Sequence, residues 1–253
     1  MLEINTKLIR LKYIKINAIG STNDYLKELS RKETLPDGTV VIAQNQTHGK
    51  GQLGAHWHFE MGKSLAFSVF KRFESLPKTH KFAVNFAVSL GIRKGLAQLG
   101  IPKLSIKWPN DILSDGMKVC GILVENQLRN QDAYTSIIGI GLNVNNQRFS
   151  DLPKASSLLL NTGIHYSLDE VFETVLEGIN RGFAFLENEN FGALKEIYES
   201  HLFRRGVVSS FEDAAGKPFS AIIEGVTYEG LLQLRLADEQ LRCAASKEVV
   251  LRY

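Results

Sequence analysis

A glycine-rich segment constrains the fold of this chain more than any other feature of its sequence. Gly49, Gly51 and Gly54 match the pattern G-x-G-x-x-G and follow a predicted strand rich in β-branched residues. In a dinucleotide-binding fold this pattern opens a helix, and the crossover to the next parallel strand takes a dozen or more residues. Here ten residues separate Gly54 from the next predicted strand at Leu65, and they show no helical face. The sequence therefore excludes a doubly wound dinucleotide-binding fold and places the glycines in a loop.

This glycine-rich loop could bind an anion or could be a mobile surface segment. Backbone N–H groups of such a loop can approach an anion closely, and Lys50 adds a positive charge. Trp57 favours the binding role, because a large aromatic side chain in a loop usually needs a surface on which to dock. His56 and His58 suggest a metal, but the sequence offers no convincing third ligand near them, so we expect no metal bound directly by the protein.

The composition is that of a globular protein rather than a disordered or fibrous one. Of the 253 residues, 44% are hydrophobic and 23% are charged. A net charge of +3 is too small to indicate nucleic-acid binding. No apolar run approaches the ~18 residues of a membrane span, and the charged N-terminal segment is unlike a signal peptide. We therefore expect a cytoplasmic protein that binds neither nucleic acid nor a membrane.

The two cysteines are too few for a disulfide framework or a thiolate metal cluster. We predict that Cys120 and Cys243 are both small buried hydrophobic residues in a reducing compartment. This agrees with the cytoplasmic setting expected from the composition.

Hydrophobic periodicity and turn signals predict an α+β fold, because helices and strands do not alternate regularly along the chain. The later strands of the first part read as antiparallel neighbours. The predicted strands are 9–16, 39–46, 65–73, 104–108, 118–125 and 134–145, the predicted helices are 21–32, 79–99, 167–188 and 191–203, and turns are predicted at 109–116 and 129–132.

The character of the chain changes after Arg205, where five short strands follow each other at regular spacing. Short strands in this arrangement are typical of a small β-barrel. We therefore expect two domains, with residues 1–203 forming the larger one and residues 204–253 the barrel.

The segment Lys107-Trp108-Pro109-Asn110-Asp111 ends one predicted strand and turns towards the next. In isolation it could be an ordinary turn, since proline, asparagine and aspartate are common turn residues. Its functional interpretation places an ammonium, an amide and a carboxylate at one strand end, a set that suits a nucleotide with its magnesium ion.

The strand K-V-C-G-I-L-V-E over 118–125 carries two residues that an ordinary buried strand would not favour. Lys118 must either extend to solvent or meet a negative partner. Gly121 weakens the strand unless something approaches its backbone closely. The segment G-I-G-L-N-V-N over 139–145 has the same character. Together they indicate a ligand that lies across the sheet.

In combination, these motifs resemble the biotin protein ligases, the ATP-dependent enzymes that attach biotin to carrier domains of carboxylases. The resemblance covers nearly the whole chain, and five motifs in the family's order make it specific. The matching segments are S-T-N at 21–23, G-K-G-Q-L-G-A-H-W at 49–57, K-W-P-N-D at 107–111, K-V-C-G-I-L-V-E at 118–125 and G-I-G-L-N-V-N at 139–145.

The resemblance implies a class II synthetase-like catalytic domain with a mixed, mostly antiparallel central sheet and flanking helices, followed by a small SH3-like barrel. It also implies a two-step reaction. Biotin and ATP with Mg²⁺ give biotinyl-5′-AMP, and a lysine of a biotin carboxyl carrier protein, of acetyl-CoA carboxylase or of another biotin-dependent carboxylase then attacks the adenylate.

The functional residues of the family correspond to individual positions of this sequence. The resemblance implies that Lys118 and Asp111 are catalytic and that Mg²⁺ is bound through the ATP phosphates. The implied biotin-binding residues are Ser21, Thr22, Asn23, Gln46, Lys50, Gly51, Gln52, Lys118 and Gly121. The implied ATP-binding residues are Gly49, Lys50, Trp57, Lys107, Asn110, Asp111 and Asn143.

Two positions depart from the family pattern. Lys50 replaces the usual arginine and Ala55 stands where some members have a further basic residue, so we expect weaker retention of the adenylate. No helix-turn-helix precedes the first motif, so we expect no repressor function. A lipoate or octanoate ligase and a non-catalytic biotin-binding module are the alternatives, and the chain could be a monomer or a homodimer.

Overall fold

The computed structural model describes residues 12–74, 76–128, 134–150 and 152–253. Its larger sheet has seven strands in the order β1-β2-β3-β7-β6-β5-β4. The strands are β1 (Tyr13–Ile19), β2 (Val40–Gln46), β3 (Ser64–Phe73), β4 (Leu104–Lys107), β5 (Asp111–Ser114), β6 (Met117–Leu128) and β7 (Tyr134–Asn143). Strands β1 and β2 are parallel, and the other neighbouring pairs are antiparallel. The predicted mixed, mostly antiparallel central sheet is therefore confirmed.

The two faces of this sheet are covered by different helices. The helices are α1 (Thr22–Lys32), α2 (Ala83–Gln98), α3 (Leu158–Thr162), α4 (Leu168–Glu187) and α5 (Phe191–Ser200). Alternate side chains of a strand point to opposite faces. In β3, Phe67 and Val69 belong to the main core with α2 and α4, whereas Phe70 belongs to a smaller core under α1. The even-numbered residues of β3 therefore share one face of the sheet with α1.

Local sequence explains how these helices begin and pack. The Ser21 side chain accepts a hydrogen bond from the Asp24 N–H, and the Ser167 side chain accepts one from the Glu170 N–H, as N-caps do. Helices α2 and α4 approach closely because Gly91 faces Gly178. A Cβ atom at Gly91 would lie 2.5 Å from the Gly178 carbonyl oxygen.

A second sheet follows in five short strands, as the sequence predicts. All its pairs are antiparallel, in the order β11-β10-β9-β8-β12. The strands are β8 (Val208–Asp213), β9 (Pro218–Val226), β10 (Leu232–Leu236), β11 (Leu241–Ala244) and β12 (Val249–Arg252).

Two side chains tie this second sheet to the rest of the chain. The Trp108 Nε1–H donates to the Gly230 carbonyl oxygen at 3.0 Å. The buried Glu199 carboxylate accepts from the Val226 N–H at 2.9 Å. None of the described helices is long and apolar enough to cross a membrane.

Two expectations are wrong. Residues 111–114, predicted inside a turn, form β5, because tight turns on each side bring this short segment between β4 and β6. Cys120 is buried as predicted, but Cys243 is exposed, since it faces solvent from the edge strand β11. The start of the predicted strand 9–16 and the predicted turn at 129–132 lie outside the described residues.

Candidate active site

A cavity of about 220 Å³ lies on the α1 face of the large sheet. It is enclosed by the N-terminus of α1, the glycine-rich loop, and the strands β5, β6 and β7. The lining residues are Ser21, Thr22, Asn23, Gln46, Lys50, Gly51, Gln52, Ala55, His56, Trp57, Asn110, Asp111, Lys118, Gly121, Ile122, Leu123, Gly139, Ile140 and Gly141.

One end of the cavity presents hydrogen-bond donors with a fixed orientation. The Thr22 N–H and the Thr22 hydroxyl both donate to Gln46 Oε1, at 3.0 and 3.2 Å. Two donors on Oε1 determine which way the Gln46 amide is turned, so that its Nε2 remains as a donor at the cavity wall. The Ser21 oxygen already accepts from the helix N-terminus, so its hydroxyl proton is available to a ligand acceptor.

The floor of the cavity is made of backbone, and the indole ring of Trp57 lies on it. Gly121 and Gly141 are direct partners in the β6–β7 ladder. A Cβ atom at Gly121 would lie 3.0 Å from the Trp57 ring, and one at Gly141 would overlap the ring. The two glycines therefore leave a flat surface for the indole, and Gly121 makes room for Trp57. The Trp57 Nε1–H is buried and has no hydrogen-bond partner among the described residues.

The opposite end of the cavity carries positive charge. Lys118 Nζ lies 2.6 Å from Asp111 Oδ1, and Lys107 Nζ lies 3.7 Å from Asp111 Oδ2. The Lys118 contact is an ion pair rather than an aligned hydrogen bond. Burial lowers the pKa of Lys107, Asp111 raises it in opposition, and Lys118 and Lys154 lower it further. Two lysines therefore share one carboxylate, which leaves an excess of positive charge for an anionic ligand.

A second cavity of about 290 Å³ adjoins the first. It shares His56, Trp57 and Lys118 with the first cavity and is mainly apolar. Lys154 Nζ stands 3.7 Å from the centre of the Tyr253 ring at its rim. The other lining residues are His58, Asn143, Phe149, Leu152, Pro153 and Ala155. The two cavities therefore share a wall formed by His56, Trp57 and Lys118.

The structure brings most of the sequence-predicted site residues into the first cavity. Those lining it are Ser21, Thr22, Asn23, Gln46, Lys50, Gly51, Gln52, Trp57, Asn110, Asp111, Lys118 and Gly121. Gly49 is absent from this lining and packs behind the Trp57 backbone, where a Cβ atom would lie 2.6 Å from the Trp57 carbonyl oxygen. Lys107 is not part of the lining of the first cavity, and its Nζ lies 3.7 Å from Oδ2 of Asp111, which is part of that lining. Asn143 lies at the second cavity, where its Nδ2–H donates to the Ser156 carbonyl oxygen.

The side chains of Lys50 and Asn110 make protein contacts in this structure. Lys50 Nζ lies 2.7 Å from Asp24 Oδ2 at the start of α1, and its side chain is half exposed. This pair closes the glycine-rich loop against α1. The Asn110 Nδ2–H donates to the Ile122 carbonyl oxygen at 2.8 Å, which ties the turn before β5 to β6.

Sequence reasoning missed four residues that shape the site. Ser68 and Glu125 contact Asn23, and Lys154 and Tyr253 border the second cavity. A signal for Glu125 was present, because the two-residue period of a strand places it on the same face as Gly121. Ser68 is a polar residue inside an apolar strand, which also indicates a buried polar contact.

Comparison with known proteins connects this site to a family. Residues 16–143, about half of the chain, match the profile of the biotin/lipoate A/B protein ligase family. The bifunctional ligase/repressor BirA of Bacillus spizizenii is 30% identical, over 94% of this chain and 76% of that protein. The biotin–[acetyl-CoA-carboxylase] ligase of Mycobacterium tuberculosis is 33% identical, over 55% of this chain and 52% of that protein.

A solved structure gives the same result for the fold. The biotin protein ligase of Aquifex aeolicus in complex with biotin and ATP superposes with a TM-score of 0.77 at 25% identity, covering 95% of this chain and 98% of that one. The fold is therefore that of the protein ligases described by this family model. The chain belongs to the biotin/lipoate A/B protein ligase family, and the predicted resemblance to its biotin ligases is confirmed.

Proposed function

We propose that this protein is an ATP-dependent biotin protein ligase, which activates biotin to biotinyl-5′-AMP and transfers it to a lysine of a carrier protein. The donor-lined end of the first cavity carries the proposal. Gln46 Nε2 and the Ser21 hydroxyl are both placed to donate to a carbonyl oxygen. The ureido ring of biotin offers such an oxygen at the end of the molecule that is remote from its carboxylate.

The same donors argue against the two alternative acids. The dithiolane ring of lipoate and the methyl end of octanoate carry no strong hydrogen-bond acceptor. Gln46 is 8% exposed, so either acid would leave its buried donor unpaired. An unpaired buried donor costs about 1–3 kcal/mol, and sites built to bind a polar group reject analogues that lack it. Biotin is therefore the preferred acid.

The positive end of the first cavity suits the adenylation step. The biotin carboxylate attacks the α-phosphate of ATP, pyrophosphate leaves, and two anions must approach each other. Catalysis then depends on preorganised positive charge rather than on an enzyme nucleophile. Lys118 lines both cavities, and we infer that it contacts both the carboxylate and the α-phosphate. We propose that Mg²⁺ arrives with ATP, bound through the phosphates.

The second cavity would then hold the nucleotide. Its apolar lining suits the adenine ring, with Trp57 on one side, and Asn143 lies at its edge. Lys107 and Lys118 would face the phosphates. Asp111, held between these two lysines, would orient them during adenylation, and this arrangement favours a positioning role over a general-base role in the transfer step.

Pyrophosphate–ATP exchange with the purified protein tests the function. Exchange that depends on biotin, and is much weaker with lipoate or octanoate, is the expected result. Exchange with lipoate or octanoate and not with biotin would assign the chain to the other branch of the family. Calorimetric binding of biotin without any exchange would indicate a non-catalytic module.

The partner, the location and the domain division are further parts of the proposal. The acceptor would be a biotin carboxyl carrier protein or another biotin-dependent carboxylase. The unpaired thiols of Cys120 and Cys243 suit a reducing cytoplasm. We also propose domains of 1–203 and 204–253, with the second supporting the ATP site, because Tyr253 lines the second cavity.

A further inference from the structure

A cluster of polar side chains lies under the first turn of α1, next to the cavity, and none of the steps above uses it. It consists of Asn23, Lys27, Ser68 and Glu125, and is called the Glu125 cluster below. Asn23 and Lys27 belong to α1, Ser68 to β3 and Glu125 to β6. The cluster therefore joins the helix that carries two cavity residues to the sheet beneath it.

The Asn23 side chain is the centre of the cluster, and both of its polar atoms have protein partners. Its Nδ2 donates to Glu125 Oε2 at 3.0 Å and to the Leu123 carbonyl oxygen at 3.5 Å. Its Oδ1 lies 2.6 Å from Ser68 Oγ. A carboxylate only accepts hydrogen bonds, so Glu125 determines which end of the buried Asn23 amide faces β6.

The sheet is shaped to receive this side chain. Gly139 pairs with Ser68 in β3 and with Leu123 in β6, so that these residues form one row across the sheet. A Cβ atom at Gly139 would overlap the Asn23 amide. The first glycine of the G-I-G segment therefore makes room for a helix side chain, whereas the second lies under Trp57.

Glu125 holds α1 at two points one turn apart. Its other oxygen, Oε1, lies 2.9 Å from Lys27 Nζ, four residues after Asn23. Both side chains of this ion pair are about 30% exposed, and a charge-assisted pair with partial burial is stronger than a fully exposed one. Glu125 therefore joins β6 to α1 at two positions one helical turn apart.

We infer that Glu125 is a positioning residue for recognition of the acid. This inference rests on the proposed function. By holding Asn23 and Lys27, Glu125 fixes the turn that carries Ser21 and Thr22. Thr22 in turn holds Gln46 Oε1, so that the donors for the ureido oxygen keep their direction. Glu125 touches neither substrate and acts only through α1.

Substitution of Glu125 tests the inference through a split between two Michaelis constants. Glu125→Ala is expected to raise the KM for biotin about tenfold, the effect of one modest loss of binding energy. The KM for ATP and kcat stay unchanged, because the phosphate end is formed by other elements. Glu125→Gln retains most of the biotin affinity, since its amide oxygen still accepts from Asn23. The control is Glu28→Ala, which removes an exposed helix carboxylate paired with Lys32.

Two results would overturn the inference. One is an unchanged biotin KM in folded Glu125→Ala, and the other is an equal rise in both KM values. If Glu125→Ala does not fold, Lys27→Met removes the second contact of Glu125 with α1, at 2.9 Å, and must raise the biotin KM alone. The unsubstituted protein separates the two claims. If the unsubstituted protein shows no biotin-dependent exchange, the proposed function is rejected. If it shows exchange and the biotin KM of Glu125→Ala is unchanged, only the role of Glu125 is rejected.

Discussion

Replacement of Lys118 by alanine is the most informative perturbation of the proposed catalytic centre. The change removes the ammonium that lies 2.6 Å from Asp111 at the junction of the two cavities. It has two separable consequences. The adenylation step loses a preorganised positive charge, and Asp111 keeps only the more distant Lys107, at 3.7 Å, as a cationic partner.

The two consequences differ in magnitude. Loss of one preorganised electrostatic donor costs about 10²–10³ in kcat, or about 2.7–4 kcal/mol of transition-state stabilisation. The Lys118 side chain is 34% exposed, so solvent screens its pair with Asp111. We therefore expect a loss of only about 1 kcal/mol in the free energy of unfolding. Lys118→Ala should remain folded at room temperature and still be a very poor catalyst.

The assay is biotin-dependent pyrophosphate–ATP exchange at saturating biotin and ATP, with urea denaturation of the same preparations. Lys118→Arg restores charge but not the compact ammonium, and we expect it to recover part of the rate. Lys103→Ala is the matched control, because it breaks an exposed pair between Lys103, just before β4, and Asp115, just after β5. A Lys118→Ala rate within threefold of the unsubstituted protein, roughly 0.7 kcal/mol, would refute the reasoning.

Three further outcomes follow from the same geometry. Gly141→Ala should displace the Trp57 ring, which would change the tryptophan fluorescence and raise the KM for ATP. The control is Gly192→Ala in α5, which should change neither because a Cβ atom there meets nothing within 4 Å. The lowered pKa of Lys107 means that it loses its proton at a lower pH than an ordinary lysine, so ATP affinity should fall on the alkaline side. Lys107→Arg should move that fall to higher pH, and identical profiles would contradict the charge role. Trp108→Phe removes the bond to the turn between β9 and β10, and should lower the free energy of unfolding by about 1 kcal/mol in urea titration.

The sequence predicted the fold class because its signals are local, whereas most of the cavity residues followed from the resemblance to the biotin protein ligases. Hydrophobic periodicity, a lysine in an apolar strand and short strands at regular spacing each act over a few residues. Strand β5 was missed because four residues between two turns carry too little periodicity to distinguish a strand from a turn. Its existence depends on pairing with β4 and β6 on both sides.

Contacts between distant segments were the part that the sequence could not supply. Glu125 approaches Asn23 across 102 positions, and Trp108 bonds to Gly230 across 122. Lys50 is another example of a contact that the sequence did not predict. Its charge suggested an anion site, but its partner in this structure is the Asp24 carboxylate on α1. Such pairings depend on the strand order of the sheet, which local patterns do not encode.

The proposed activity is the conversion of biotin and ATP into biotinyl-5′-AMP. Mass spectrometry of the small molecules released from the protein after incubation with biotin and MgATP tests it most directly. We predict the mixed anhydride of biotin with AMP, together with free pyrophosphate, and its disappearance when Lys118 is replaced by alanine. Intact ATP and unmodified biotin, or an adenylate formed with lipoate but not with biotin, would contradict the account.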